Sequence, residues 1–137
     1  MINAGETAVT KIIDFTNGHP YYTQLVCQHI ELNYKNAATE IEKNLSTIIE
    51  EVMWIEINYL EKLWEEATKN RENIPVLLAI ARNSEKIYSE IRDKHINISR
   101  AIRNLKKTGL IEKKDSNYII TDPYLAYWIK KKVINKE

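Results

Sequence analysis

The chain has 137 residues, 44% of them hydrophobic and 28% charged, with a formal net charge of +1. This is the balance of an ordinary globular protein, one compact domain or two small ones sharing a face; it excludes a disordered or low-complexity chain and any global attraction to nucleic acid or membrane, so such affinity must come from local clustering. Three glycines and three prolines leave little room for flexible linkers, and a single cysteine, Cys27, excludes an internal disulfide and fits a reducing compartment.

No apolar stretch approaches the roughly 20 residues of a membrane span, and Met1-Ile2-Asn3 begins no signal peptide, so a cytoplasmic protein without membrane contact is expected. Asn44-Leu45-Ser46 and Asn97-Ile98-Ser99 match the glycosylation sequon, a pattern common by chance and irrelevant in a cytosol.

In the N-terminal half the apolar spacing predicts helices. Val9, Ile12 and Ile13 follow the i, i+3, i+4 rule between Ala8 and Phe15, and Asn17-Gly18 supplies a left-handed stop. Pro20 then sits at a first helical position, where its missing N–H costs nothing, so Gly18-His19-Pro20 is a sharp corner between two helices. The second helix carries Tyr22, Leu25, Val26, His29 and Leu32 and reaches Asn33, with Lys35-Asn36 as a connection. Thr39 and Glu42 form a capping box, and Ile41, Leu45, Ile48, Ile49 and Val52 form the buried stripe behind it. Neither Gly nor Pro interrupts Glu40 to Lys69; a break between Met53 and Asn58 is expected. Val52-Met53-Trp54-Ile55 is too continuously apolar for an exposed helix and should be buried or cover a partner. Tyr59, Leu60, Leu63, Trp64 and Ala67 restart an orderly stripe.

The C-terminal half changes character. A helix from near Ile74-Pro75 to Arg82 turns Val76, Leu77, Ile80 and Ala81 inward, and a short one from Tyr88 to Lys94 carries Ile91. Asn97 caps a third, with Ile98, Ala101, Ile102 and Leu105 as its buried face and Thr108-Gly109 as its end. Leu110 to Lys113 reads as a strand, Asp115-Ser116-Asn117 as a turn, and Tyr118-Ile119-Ile120 as the antiparallel return. Three helices and a terminal hairpin make a winged helix-turn-helix, and Leu105-x3-Gly109-Leu110-Ile111-Glu112 matches the recurrent join of its third helix to its wing. Beyond it, Asp122 is an N-cap and Pro123 a helix start for the aromatic-rich Tyr124-Leu125-Ala126-Tyr127-Trp128.

The string Gly18-His19-Pro20-Tyr21-Tyr22 resembles the Gly-x-Pro corner of the helical lid in STAND-type P-loop ATPases, especially the archaeal ATPase family. The run from Tyr118 through Asp122-Pro123 to Ile129 resembles the ending of the same family. The two signatures and the wing join bracket about 115 of the 137 residues. The resemblance implies a C-terminal lid and winged-helix region whose corner, Gly18, His19 and Pro20, packs against adenine nucleotide held by a P-loop core. ATP or ADP with Mg would belong to that parent protein, and no cofactor to this chain. The family's core is missing: the only glycines, Gly5, Gly18 and Gly109, give no Gly-x4-Gly-Lys-Ser/Thr loop to cradle phosphates. No arginine precedes Arg71, so the lid lacks an obvious sensor for phosphate charge. Tyr21 and Tyr22 read as lid core, and the plainer reading of the corner is a turn selected for backbone geometry alone.

A second candidate site is basic. Between Lys94 and Lys114 stand seven Lys or Arg residues against Glu112 alone, whereas Glu40 to Glu66 holds eight glutamates against Lys43 and Lys62. Arg100, Arg103 and Lys107 lie at i, i+3 and i+7, flanked by Lys106, on the side away from the apolar stripe; Lys113 and Lys114 stand on the wing. A winged helix would offer this face to the major groove of duplex DNA, with Ser99, Arg100 and Asn104 as the side chains able to read bases. A protein-contact surface and a merely solvated basic face are the other readings.

Metal and redox chemistry are not expected. Cys27 and His29 point about 200° apart on a helix and cannot chelate together, so Cys27 reads as a small core residue. His95 falls in a turn. Trp54, Trp64 and Trp128 read as core or interface aromatics.

The expected architecture is therefore mainly α: a helical, lid-like remnant over residues 1–58, then a winged-helix domain over 59–137 with a small β-hairpin wing and an aromatic C-terminal helix. The expected function is a non-catalytic regulatory region of an archaeal-type STAND or AAA+ ATPase. Its partners would be the absent core and, through the winged helix, DNA or protein, with homodimerisation through Met53, Trp54 and the Pro20 corner as a way to cover the exposed lid. The alternative is a free-standing winged-helix DNA-binding protein, regulator-like in role, in which residues 1–70 serve dimerisation or packing.

Overall fold

A computed structural model describes residues 5–34, 38–83, 85–91 and 95–136. The chain is mainly helical, with a two-stranded antiparallel sheet, and divides into two compact units, Met1–Ile57 and Asn58–Glu137.

The first unit contains α1 (Gly5–Thr16), α2 (Pro20–Asn33), α3 (Ala38–Lys43) and α4 (Leu45–Ile55). Helix α1 packs on α2 and α3, and α2 on α4. The buried positions repeat every four residues: Ala8, Ile12 and Thr16 on α1, Tyr22, Val26 and Ile30 on α2. This corrects the sequence reading. Val9 and Ile13 lie on the open side of α1, and Leu32 is 84% exposed while Ile30 fills the core. The inward face of α1 is set by small and self-satisfied groups. Ala8 takes little room, and the Thr16 hydroxyl donates to the Ile12 carbonyl at 2.8 Å, which makes its burial affordable. Counting apolar residues alone places Ile12, Tyr22 and Val26 inward as observed but also draws in Val9, Ile13 and Leu32, which stay exposed.

Helix α3 already includes Thr39 as its second residue, so the expected capping box is not at the helix start; Lys35-Asn36 lies outside the described residues. The chain then breaks twice. Asn44 separates α3 from α4, its side-chain amide donating to the Glu40 carbonyl at 2.9 Å, and Glu56 separates α4 from α5 (Ile57–Ala67), within the expected interval. Ile41, Leu45, Ile48, Val52 and Met53 are buried and Ile49 is half-buried. The apolar run straddles a helix edge: Val52 and Met53 enter the core, and Trp54 and Ile55 stay exposed.

The second unit is organised around α6 (Asn73–Ala81), which buries Val76, Leu77, Ala79, Ile80 and Ala81. A helix apolar on nearly every side must be surrounded. It packs against α7 (Ile87–Glu90), α8 (Ile98–Lys107), β2 (Asn117–Ile120) and the segment Ile129–Val133. At its start, buried Asn73 donates to the Ala67 carbonyl at the end of α5, at 2.9 Å. On α5, Leu60 and Ala67 are buried, Leu63 and Trp64 half-buried, and Tyr59 exposed, contrary to its place in the expected stripe. Helix α7 is a single turn anchored by Ile87. Ile91, expected within it, takes an extended backbone (φ −86°, ψ 111°) and ends it, and residues 92–94 lie outside the described ones.

Local signals fix the rest of this unit. The Asn97 side chain accepts the Arg100 amide at 3.0 Å and starts α8, which buries Ala101, Ile102 and Leu105, with Ile98 half-buried. Gly109, at φ 79°, closes it: the Gly109 amide donates to the Lys106 carbonyl and the Leu110 amide to the Leu105 carbonyl, the paired bonds of a Schellman turn. Strand β1 (Ile111–Lys114) pairs with β2 in the register Ile111↔Ile120 through Lys114↔Asn117 around Asp115, whose φ is 57°. Asp122 then accepts the Tyr124 and Leu125 amides and starts α9 (Pro123–Trp128), which buries Tyr124, Leu125 and Trp128. The Trp128 ring lies 5.7 Å from that of Trp64.

Candidate partner interface

The two candidate sites lie in different units. At the helical corner of the first unit, Asn17 and Gly18 both hold positive φ, 54° and 69°. The Gly18 amide donates to the Ile13 carbonyl at 3.0 Å and the His19 amide to the Thr16 carbonyl at 2.9 Å, while Thr16 and Thr23 share a hydroxyl hydrogen bond of 2.9 Å across the two helices. His19 is extended and exposed, its ring 4.9 Å from that of Tyr22, and Pro20 opens α2 on the surface. Tyr22 is core. Tyr21 is not: it is half exposed and its hydroxyl donates to Glu56 at 2.8 Å. Gly18, His19 and Pro20 thus form a built, solvent-facing corner.

Further along α2 is a polar cluster that the periodicity did not suggest. The His29 Nε2 lies 3.0 Å from a Glu51 oxygen on α4, and the Tyr34 hydroxyl donates to that same oxygen at 2.7 Å. The hydrogen bond to Glu51 leads in pushing the Tyr34 phenol up to about 12; the Glu51 carboxyl is held below its usual range, first by His29 and then by Tyr34. Cys27 is half-buried rather than a core residue, and burial, reinforced by Glu31, raises its thiol above the ordinary value. Among the described residues no group of three His, Cys, Asp or Glu side chains is placed to hold a metal ion. Met53 is fully buried and offers nothing to a dimer surface, whereas Trp54 and Ile55 remain exposed.

In the second unit, α8 and the hairpin bring Arg103, Lys106, Lys107, Lys113 and Lys114 to the surface. Arg100 is also exposed but engaged: its guanidinium pairs with Glu72, whose other oxygen accepts the Asn97 amide at 3.1 Å. Ser99 is hydrogen-bonded to the Tyr88 hydroxyl at 2.8 Å, and Asn104 is half-buried. Two of the three side chains expected to read bases therefore have partners within the chain. Lys106 and Lys113 each place an ammonium 5.9 Å from the centre of the Tyr118 ring. The hairpin register explains one of these contacts, because Lys113 is paired directly opposite Tyr118. A groove of 360 Å³ runs along this face between Tyr88, Ser99, Ile102, Arg103, Lys106 and Tyr118. The roles of Tyr88, Tyr118 and Glu72 were not visible in the sequence; Lys113 and Tyr118 flanking the Asp115 turn were the one available clue.

Among the described residues, no helix is long and apolar enough to cross a membrane. Comparison with protein-family models, curated proteins and solved structures finds no match to the chain.

Proposed function

We propose that the chain is the C-terminal regulatory and interaction region of an archaeal-type STAND or AAA+ ATPase, with a winged helix in its second unit that docks on the phosphates of duplex DNA. The ATPase context rests on the sequence resemblance. The docking role rests on one observation: Arg103, Lys106, Lys107, Lys113 and Lys114 are all exposed on α8 and the adjoining hairpin, with Glu112 and Asp115 as the acids beside them on that hairpin. In a winged helix the third helix enters the major groove and the wing follows the backbone.

In this reading the chain hydrolyses nothing itself. The P-loop core binds ATP or ADP with Mg, the Gly18-His19-Pro20 corner senses which nucleotide is held, and its movement exposes or withdraws the winged helix in the cytoplasm. A full-length protein whose winged-helix exposure ignored ATP would contradict that coupling.

Fluorescence anisotropy with a mixed-sequence duplex tests the docking. Five phosphate contacts should cost about 500-fold in affinity between about 50 and 200 mM salt, and Arg103→Glu, Lys106→Glu and Lys107→Glu together should remove most of that slope. Absence of binding at low salt would exclude DNA and leave the same face as a surface for an acidic protein, such as the missing ATPase core.

A further inference from the structure

We propose that a groove at the C-terminal end of the second unit binds a nucleoside phosphate. The groove has a volume of 390 Å³ and is lined by Arg82, Tyr127, Lys130, Lys131, Ile134 and Asn135. That size is at the lower end of small-ligand sites. Three of the six side chains are cations and none is a carboxylate, so the groove selects an anion. Arg82 has Glu90 at 3.9 Å, a long contact between two partly exposed groups that is weaker than a charge-assisted hydrogen bond to a phosphate oxygen, and it keeps other interactions within the chain.

The remaining lining selects what carries the anion. Tyr127 contributes an aromatic ring whose face holds the Lys131 ammonium 5.5 Å from its centre, and Ile134 adds aliphatic surface. A heteroaromatic base stacking there would take the place of the ammonium, and the flexible lysine stem would carry that charge to the phosphate. Asn135 adds an amide, a donor and acceptor pair that matches the edge of adenine. Inorganic phosphate alone would use the cations and leave this apolar and amide surface idle.

The backbone supplies a second observation. Tyr127, Lys130, Lys131 and Ile134 stand at i, i+3, i+4 and i+7 and so share one face. Along that stretch the helix widens into a π turn over Ile129–Val133, with the Ile134 amide donating to the Ile129 carbonyl five residues back. Such turns are rare and recur at binding sites, because they give up regular hydrogen bonding to shape a local surface. None of the side chains of the α8 and hairpin face lines this groove, and the Gly18 corner belongs to the other unit. This groove is therefore distinct from the basic face of α8 and the hairpin.

Isothermal titration of the whole chain at low salt with ADP, pyrophosphate and adenosine tests it. ADP should bind with a Kd below about 1 mM and at least about tenfold more tightly than either fragment. Lys130→Glu with Lys131→Glu should weaken ADP at least about tenfold without changing the melting temperature, since both side chains are solvent-facing. Arg82→Gln, reached from α6, should weaken it in the same direction, and Arg103→Glu with Lys107→Glu should leave it unchanged. Absence of ADP binding, equal binding of ADP and pyrophosphate, or full ADP affinity in the Lys130/Lys131 double variant would each overturn the proposal.

Discussion

Glu72 holds Arg100 across the second unit, joining the start of α6 to the first turn of α8, and its second oxygen takes the Asn97 amide that precedes the helix. One carboxylate thereby opposes the charge of one basic residue and braces the cap of the helix that presents the others. Arg100→Ala should consequently weaken duplex binding less than Arg103→Ala. Glu72→Gln should tighten it severalfold by releasing the Arg100 charge toward phosphate. Anisotropy on the three variants orders them, and a larger loss for Arg100→Ala than for Arg103→Ala would show that the ion pair opens on binding. The Glu72 carboxyl is held below its usual range, chiefly by its bond to Arg100. A depressed folded value means that the contribution is present above the ordinary glutamate range and is lost as pH falls through the lowered one. Acid unfolding of the native chain should therefore contain a component missing from Glu72→Gln.

Ile30 and Leu32 are two residues apart on α2 and have opposite fates: Ile30 is completely buried, and Leu32 is among the most exposed apolar residues described. Truncating Ile30 to Ala removes packed methylenes and leaves a cavity, so it should cost about 2–5 kcal/mol. Leu32→Ala should stay within about 0.5 kcal/mol. Urea denaturation of the two variants checks this, and similar losses would mean that Leu32 is covered by something the isolated chain provides in solution, such as a second copy.

That pair also shows where the sequence was readable. Features enforced by neighbouring atoms were legible: the Asn97 and Asp122 caps, the Gly109 stop, the turn at Asp115 and the break near Glu56 all depend on a few consecutive residues. The inward side of a helix depends on what lies opposite it. On α1 and α2 enough apolar residues exist to write two stripes, and packing against α3 and α4 selects the one through Ala8 and Ile30. The candidate interface divides in the same way. Its lysines and arginines could be placed on α8 from their spacing, but the capture of Arg100 by a glutamate 28 positions away, and of Ser99 by Tyr88, required the tertiary structure.

Gly18 sits at φ 69° with open space where a Cβ would stand. Gly18→Ala therefore meets no neighbour, and its cost is the left-handed backbone alone, about 1 kcal/mol. The change should appear as a lower denaturation midpoint with an unaltered m-value. A much greater loss would mean that the corner makes contacts in solution beyond its own turn. If the corner faces nucleotide in a larger ATPase, His19→Ala in that protein should weaken nucleotide affinity while leaving the stability of this region nearly untouched, because the His19 side chain is exposed.

The convergence of His29 and Tyr34 on one Glu51 oxygen makes the stability of the first unit depend on pH at both ends of the scale. Glu51 has a lowered carboxyl value, so its contribution is lost as pH falls through that value; Tyr34, raised to about 12, contributes below the ordinary tyrosine range and loses its contribution as pH climbs through about 12. These bonds lie near the surface, so water and salt reduce each to about 0.5 kcal/mol. Glu51→Gln should flatten the acid limb of a stability profile. It should also lower the pH at which the Tyr34 phenol ionises, because the acceptor charge that opposed its ionisation is gone. Tyr34→Phe should remove one component titrating near pH 12 from the alkaline tyrosine absorbance while preserving the acid limb through His29. If the native-minus-variant difference in tyrosinate absorbance titrates in the ordinary tyrosine range instead, the bond of Tyr34 to Glu51 is not formed in solution.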